Sequence, residues 1–381
     1  LTGERLRVSL DVTAVPPSPA GAGRYTLELA RALAGRADLD LVLISRRRDA
    51  ERWRALGGDR TAEVVAAAPG PRPLRLGWEQ VFLPGLLGRT GVVVHHGPHY
   101  TMPGRARVPV VVTVHDCTFF DHPEWHERSK VVLFRRAITT AALRAAVIVC
   151  VSRTTAERLA EVADVRCPIV VAPHGVDHDR FCPKEPAPGA DSAALGALGI
   201  DPGRPYVLFL GTLEPRKNVP SLVRAFDEVA ASHPDTVLVI AGQPGWGGDE
   251  VERAVMAAER HQDRMVRTGY VPDEAVPALL RRAAAVAYPS LSEGYGLPAL
   301  EALACGAPLV TTSGTAMAEL AGGAALLVAA GDTDGLAGAL DVALGGEGNE
   351  ERRRLGLAVA AELTWAASAE RHVEAYRMAA G

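Results

Sequence analysis

Residues Tyr288 to Thr312 read YPSLSEGYGLPALEALACGAPLVTT. Two carboxylates, Glu293 and Glu301, stand eight apart around Gly294 and Gly296. Pro298 sits where the first turn of a helix tolerates proline, and Gly306 follows where the helix would close. A glycine loop feeding a helix start presents unpaired N–H groups and the positive dipole end, which together suit a phosphate. Glu301, in the first turns, can accept two hydroxyl hydrogen bonds, as from a ribose diol. It would equally serve to complement the helix dipole. A second segment, Leu208 to Val219, reads LFLGTLEPRKNV. There Gly211 ends an apolar strand, and Arg216 and Lys217 precede a helix. Two cations would neutralise a diphosphate. The dipole disfavours cations at a helix start, so two solvated surface charges are the plainer but less economical account. Only Lys130, Lys184 and Lys217 are lysines among 41 basic residues, a bias resembling proteins of GC-rich bacteria.

Other candidates lie nearer the N-terminus. Pro19 to Tyr25 carries Gly21 and Gly23, which would let backbone approach a ligand. The dinucleotide fingerprint fails, because Thr26 holds its third glycine position. His115-Asp116 ends the run VVVTVHD, and strand C-terminal ends are where open α/β sheets place ligands. His115 would bind a sugar hydroxyl or be structural. His174-Gly175-Val176-Asp177 reads as a structural turn. His95, His96 and His99 lack metal-like spacing on one helix, and the five cysteines form no C-x-x-C pair. The cysteine count therefore fits a reduced, cytoplasmic chain without a zinc site.

The elements that must position these residues alternate. Strands are expected at Val8–Val12, Leu41–Ser45, Val92–His95, Val110–His115, Ala146–Val151 and Ile169–Ala172. A second series runs Tyr206–Leu210, Thr236–Ala241, Met265–Thr268, Ala285–Tyr288, Leu309–Thr312 and Ala325–Val328. Helical patterns separate them, among them Tyr25–Leu33, Trp78–Leu87, Val131–Leu143 and Val219–Ala230. Near-continuous apolar strands with helical crossovers mean parallel sheets covered on both faces. The expected fold class is α/β, with two Rossmann-like domains. The first domain is expected over 1–182 and the second over 206–364. The proline-rich stretch 183–205 reads as a linker, and Glu350 to Met378 as a helical tail.

In these positions the chain resembles the family-4 retaining glycosyltransferases over nearly its whole length. The resemblance rests on Gly21–Tyr25, His115-Asp116, His174-Gly-Val-Asp, Gly211…Arg216-Lys217-Asn218 and Glu293-x7-Glu301. It implies a GT-B-type pair of domains facing a central cleft, with a final helix, about 365–381, crossing back to the first domain. It implies that Arg216 and Lys217 bind the donor diphosphate and that Glu301 binds the ribose. Glu293 would face the donor sugar, and His115 would contact it from the other domain. Backbone at Gly294, Tyr295, Gly296 and Leu297 would hold phosphate and sugar. Gly21, Gly23, Gly211 and Val271 complete the donor-binding set. The family mechanism is attack on the face from which the diphosphate departs, with no catalytic metal and no cofactor. Two departures are His174, where Asn is usual, and Met317, at a place often held by Pro; neither is expected to touch a donor position. The VTVHD…HPEW region looks like mannosyltransferases and points to GDP-mannose.

Net charge is −4, which gives no case for nucleic acid. Residues 1–186 carry 26 basic and 20 acidic side chains, hence +6, and 187–381 carry 15 and 25, hence −10. A basic first half would meet an anionic acceptor or surface. No run of about 18 uncharged apolar residues exists, since Arg144 interrupts Ala137 to Val151. The opening residues lack the apolar run of a signal peptide. A cytoplasmic enzyme is expected, with the basic stretch Lys130–Arg144 available for the inner membrane face, although its apolar side suits packing on the sheet. The acceptor is a glycan, a lipid-linked glycan or a small metabolite. Two alternatives remain. Arg46-Arg47-Arg48 would read an NADP 2′-phosphate in an oxidoreductase. A catalytically inactive scaffold would be expected to have lost Arg216, Lys217, Glu293 or Glu301.

Overall fold

The computed structural model describes residues 5–57, 62–245, 248–258 and 260–381. They divide into two units, 1–175 with 365–381, and 176–364.

The first unit is a seven-stranded parallel sheet. Its strands are β1 (Leu6–Asp11), β2 (Leu39–Arg46), β3 (Glu63–Ala68), β4 (Val94–Gly97), β5 (Val110–Val114), β6 (Val147–Cys150) and β7 (Ile169–Val171). The order is β3-β2-β1-β4-β5-β6-β7, with Val8 paired to Leu41 on one side and Val94 on the other. Alternate residues of each central strand feed opposite faces. On one face Val8, Leu10 and Val94 pack with Tyr25, Leu29 and Leu33 of the helix Ala22–Ala34. On the other, Val112, Val114 and Ile148 pack with Phe134, Ile138 and Ala142. Those last three come from the helix Arg128–Arg144, whose apolar side is thus inside the protein. β3 is absent from the expected strands: EVVAAA has a helical composition, and as a half-buried edge strand it lacks a strong apolar run.

The helical tail consists of Asn349–Glu362 and a final helix, Trp365–Ala380. The second completes the first unit's core. Ala369, Val373 and Tyr376 are buried there. Tyr25 Oη shares hydrogen bonds of 2.8 Å with His372 Nε2 and Thr113 Oγ1. His174 stacks between Tyr25 and Trp365, at 4.6 and 5.8 Å between ring centres. That is the structural role expected of it.

The second unit is a six-stranded parallel sheet of β8 (Tyr206–Leu210), β9 (Val237–Ala241), β10 (Met265–Gly269), β11 (Ala285–Tyr288), β12 (Leu309–Thr312) and β13 (Ala325–Val328). Its order is β10-β9-β8-β11-β12-β13. Both sheets therefore reverse their winding once, between β1 and β4 and between β8 and β11. Such switch points, at the carboxyl ends of the strands, are where doubly wound sheets bind ligands. The expected linker 183–205 lies within this unit. Residues Ala190–Ala197 form a helix, tied down by a bidentate pair of Arg281 with Asp191 at 2.7 and 2.9 Å. Pro and Gly surround this helix in sequence and mask its short apolar pattern. The first unit ends at Gly175, not at 182. All five cysteines are free.

Candidate active site

The second unit's switch point gathers the charged candidates. β8 runs out through Leu210 to Gly211, whose N–H bonds to the Ala241 carbonyl at 2.9 Å. The neighbouring crossover passes so close that a Cβ on Gly242 would lie 1.9 Å from the Gly211 carbonyl oxygen. Beyond Gly211 the chain makes a short turn, Pro215–Lys217, before Asn218 takes a left-handed conformation and starts the helix Val219–Val229. From the other side of the switch point, β11 leads into the loop carrying Ser290, Glu293 and Gly294. The Leu291 N–H bonds to the Arg216 carbonyl at 2.8 Å, fastening the two loops together.

Arg216 and Lys217 converge on one carboxylate. Arg216 Nη1 lies 2.5 Å from Glu293 Oε1, and Lys217 Nζ bonds to the same oxygen. Ser290 Oγ lies 3.4 Å from it. Arg216 also reaches Glu214 at 2.9 Å. Burial would push the Glu293 carboxyl up, but Arg216 and Lys217 outweigh it and hold the group at about 2. Burial, with help from Arg216, pulls the Lys217 ammonium below the ordinary lysine range, against Glu293. Glu293 thus already acts as the counter-anion for both cations.

The helix Leu297–Ala304 starts beside this cluster. Gly296 precedes it at φ 100°, a left-handed value that favours glycine. A Cβ there would also lie 2.3 Å from Met317 Cγ. Met317 therefore packs directly on a donor-binding candidate, contrary to the expectation that this departure stands clear of them. The physical reason is the helix Ala316–Ala321, which follows β12, the neighbour of β11. Glu301 is buried on the first turns of Leu297–Ala304. The Tyr288 hydroxyl is buried and has no hydrogen-bond partner among the described residues. Burial first, then the charges of Glu301 and Glu293, push it well above the usual tyrosine range. Val271 is buried in the loop after β10.

Three candidates belong to the first unit. Gly21 caps the helix Ala22–Ala34, with Gly23 inside its first turn. His115 follows β5, and its Nε2–H donates to the Pro98 carbonyl at 2.8 Å. Burial holds this ring below the ordinary histidine value, hence neutral at pH 7. Sequence reasoning passed over Glu214, Ser290 and Tyr288. Glu214 stands two residues from Arg216, and that spacing was the available signal. No group of three His, Cys, Asp or Glu among the described residues is arranged to hold a metal ion. Arg46 is buried in an ion pair with Asp49 and a bond to the Val15 carbonyl, which removes it from a 2′-phosphate role.

Two doubly wound parallel units, one carrying a cationic pair beside a helix start at its switch point, define a GT-B-type architecture. Residues 19–180 match the model of Glycosyltransferase Family 4, and 193–360 that of Glycosyl transferases group 1. Together these two matches span most of the chain and support a GT4-type glycosyltransferase. It is 29% identical to the O-antigen chain mannosyltransferase B of Escherichia coli, over 75% of this chain and 74% of that one. It is 36% identical to the D-inositol 3-phosphate glycosyltransferase of Nocardia farcinica, over 55% of this chain and 48% of that one. Among solved structures, HepE of Anabaena in complex with UDP-glucose superposes with a TM-score of 0.73 at 17% identity, covering 97% of this chain and 99% of that one.

Proposed function

We propose that the chain moves a hexosyl group from a nucleoside diphosphate sugar to an acceptor hydroxyl, with retention at the anomeric carbon and without a metal. The observation that carries this reading is the convergence of Arg216 and Lys217 beside the start of Leu297–Ala304. As the bond between the anomeric carbon and the diphosphate oxygen breaks, its electron pair goes to the diphosphate. The two cations and the loop amides at Gly294–Leu297 stabilise that charge. The acceptor oxygen bonds to the oxocarbenium-like carbon on the same face, and its proton passes to the departing phosphate oxygen. Glu301 holds the ribose diol, and Glu293 faces the sugar.

The similarity to a mannosyltransferase supports GDP-mannose as donor, and the UDP-glucose complex supports a nucleotide sugar more generally. The acceptor is a glycan, a glycolipid or a small metabolite. No helix among the described residues is long and apolar enough to cross a membrane; we place the activity in the cytoplasm or at the membrane's inner face. A thermal-shift panel of GDP, UDP, ADP and dTDP should show stabilisation by one nucleotide above the others, because a ligand that binds only the folded chain raises its stability. Proton NMR of the first product with the matching sugar should show the donor's anomeric configuration, and EDTA should leave the rate unchanged. No stabilisation by any nucleotide would remove the donor assignment, and an inverted product the mechanism.

A further inference from the structure

A run of polar groups crosses the first unit's core, where aliphatic side chains would ordinarily pack. His96 stands on β4, Thr113 on β5, Tyr25 on the helix Ala22–Ala34, and His372 and Tyr376 on the final helix. All five are fully buried. Four hydrogen bonds of 2.8 Å join them: Tyr376 with His96, His96 with Thr113, Thr113 with Tyr25, and Tyr25 with His372.

The end of this chain orders every proton in it. His372 Nδ1 lies 2.7 Å from the Ser368 carbonyl, which only accepts, so Nδ1 carries the proton. Burial lowers His372 to about 4 and so keeps the ring neutral at pH 7. Its Nε2 is therefore an acceptor, and the Tyr25 hydroxyl donates to it. That hydroxyl has then spent its one proton, so Thr113 donates to the Tyr25 oxygen. Thr113 in turn accepts from His96 Nε2–H. His96, also kept neutral by burial, accepts from Tyr376 at Nδ1. The chain leaves the final helix at Tyr376 and returns to it at His372, with one direction throughout. A polar network satisfied at every member rigidifies a core and specifies one arrangement.

What the chain holds in place is the Tyr25 ring, and that residue borders two site candidates. The His115 ring meets it edge-on, with ring centres 5.0 Å apart and planes at 81°. His115 has committed Nε2–H to the Pro98 carbonyl, so its neutral ring keeps Nδ1 as the acceptor. The Tyr25 N–H bonds to the Gly21 carbonyl at 3.0 Å and closes the turn that carries Gly21 and Gly23. We infer that Tyr25, His96, His372 and Tyr376 are positioning residues: through the one-way chain the final helix fixes the Tyr25 ring, and that ring fixes His115. The effect on sugar transfer rests on the transferase reading; the order of the chain does not.

Nitrogen NMR of the full chain with labelled histidine reads the tautomers. Nδ1–H is expected at His372, and Nε2–H at His96 and His115. The opposite tautomer at His372 or His96 overturns the ordered chain. His372→Leu removes the acceptor for Tyr25, whereas the amide oxygen of His372→Gln can still take that hydrogen bond. Both variants lose the imidazole ring, so a difference between them in the His115 ring-proton shifts reports movement of Tyr25. A difference is expected; identical shifts in the two folded variants overturn the positioning role. GDP release from saturating GDP-mannose, with methyl α-mannoside or water as acceptor, gives the rate. Tyr25→Phe and His372→Leu should each lower kcat about five- to tenfold, within the range that small misplacements cost. His372→Gln should retain most of the rate, and GDP affinity should not change. In a His115→Ala background, Tyr25→Phe should cause no further loss, because residues that act through one another are not additive. A merely structural Tyr25 would lower the melting temperature and leave kcat intact well below it. That result overturns the inference. So does a loss that persists undiminished without His115, or a His115→Ala enzyme as fast as the unaltered chain. If the unaltered chain does not turn over GDP-mannose, the transferase reading with that donor fails, and the tautomers and ring shifts decide the positioning by themselves.

Discussion

At the second unit's switch point, a carboxylate already holds both cations. Arg216, Lys217 and Glu293 form one closed cluster beside a helix start. At the first unit's switch point, a cavity of about 520 Å³ is lined by Arg46, Arg72, Arg75 and Lys130 against Asp11 and Glu79. There Arg72 and Arg75 face Glu79, which burial pushes up to about 8, and Asp11, which burial also pushes up. Both sheets share a winding, so the backbone offers two equivalent ligand positions, and side chains alone make them different. A self-neutralised cluster keeps its geometry without ligand and exchanges one anion for another. Arg72 and Arg75 form no ion pair with a carboxylate among the described residues; they rest on the Phe134 ring and the Thr13 carbonyl.

The units also differ in their cores, and the largest expected effect follows. His95, His96, His99, His115, His174 and His372 lie in the first unit, and burial is the leading cause that lowers each of them. His95 and His99 are lowered to about 3 and His372 to about 4. In the second unit His233 and His261 lie closer to solvent and pair with Asp341 and Asp227. A buried neutral histidine takes up a proton only below its lowered value, whereas the unfolded chain does so near 6.5. Between those values the unfolded state binds more protons, so stability falls as pH falls. His95, His99 and His372 each cost about 1 kcal/mol between pH 6.5 and 5.5. Glu79 has the opposite sign. Its raised value adds stability that is fully present at low pH and lost as pH rises through about 8, so it offsets about one histidine. The first unit should therefore lose several kcal/mol over that interval and open before the second. Hydrogen exchange read by mass spectrometry, corrected for intrinsic rates, follows each unit. Simultaneous loss of protection in both would break the contrast.

The next effect sharpens the second unit's half of the comparison. If Lys217 meets charge that grows on the leaving diphosphate, its interaction strengthens in the transition state. Lys217→Ala should then lower kcat about 100-fold, by analogy with removal of an oxyanion donor. Steady-state rates at saturating donor give the answer. An unchanged kcat with only a raised donor KM would mean uniform binding and no catalytic role for Lys217.

What the sequence made legible follows from range. The second unit's strands stand out because each is a short apolar run in a central or covered position, and Ala285–Tyr288 and Leu309–Thr312 coincide with expectation to the residue. The cations and both glutamates stand out by type and by position next to a helix start. Contacts over long separations do not. Glu293 is 76 residues from Lys217, and nothing local announces their bond. β3 is too rich in alanine to declare itself, and Ala190–Ala197 is held by Arg281, 90 residues beyond Asp191. The first unit's cavity is built from the ends of three strands and from helices that are separately unremarkable in sequence, so only the charge excess of the first half hinted at it.

The smallest effect concerns Glu293, and it carries a sign that separates two roles. In the ligand-free chain this carboxylate neutralises Arg216 and Lys217, so a diphosphate must displace or share its charge. At about 4 Å and an effective dielectric near 20, each pair is worth around 4 kcal/mol before desolvation. Most of that is returned when both cations regain an anion, leaving a small difference. Glu293→Gln removes the competing charge while preserving shape and a hydrogen-bond acceptor. A free nucleoside diphosphate should then bind about two- to fivefold tighter, the scale of a net ion-pair contribution. The nucleotide sugar should not share the gain, because Glu293 is assigned to the sugar and its loss offsets the freed cations. Calorimetry with the nucleotide and its sugar conjugate on the same variant compares the two directly. Weaker binding of both ligands would show that Glu293 organises the cations rather than competing for them.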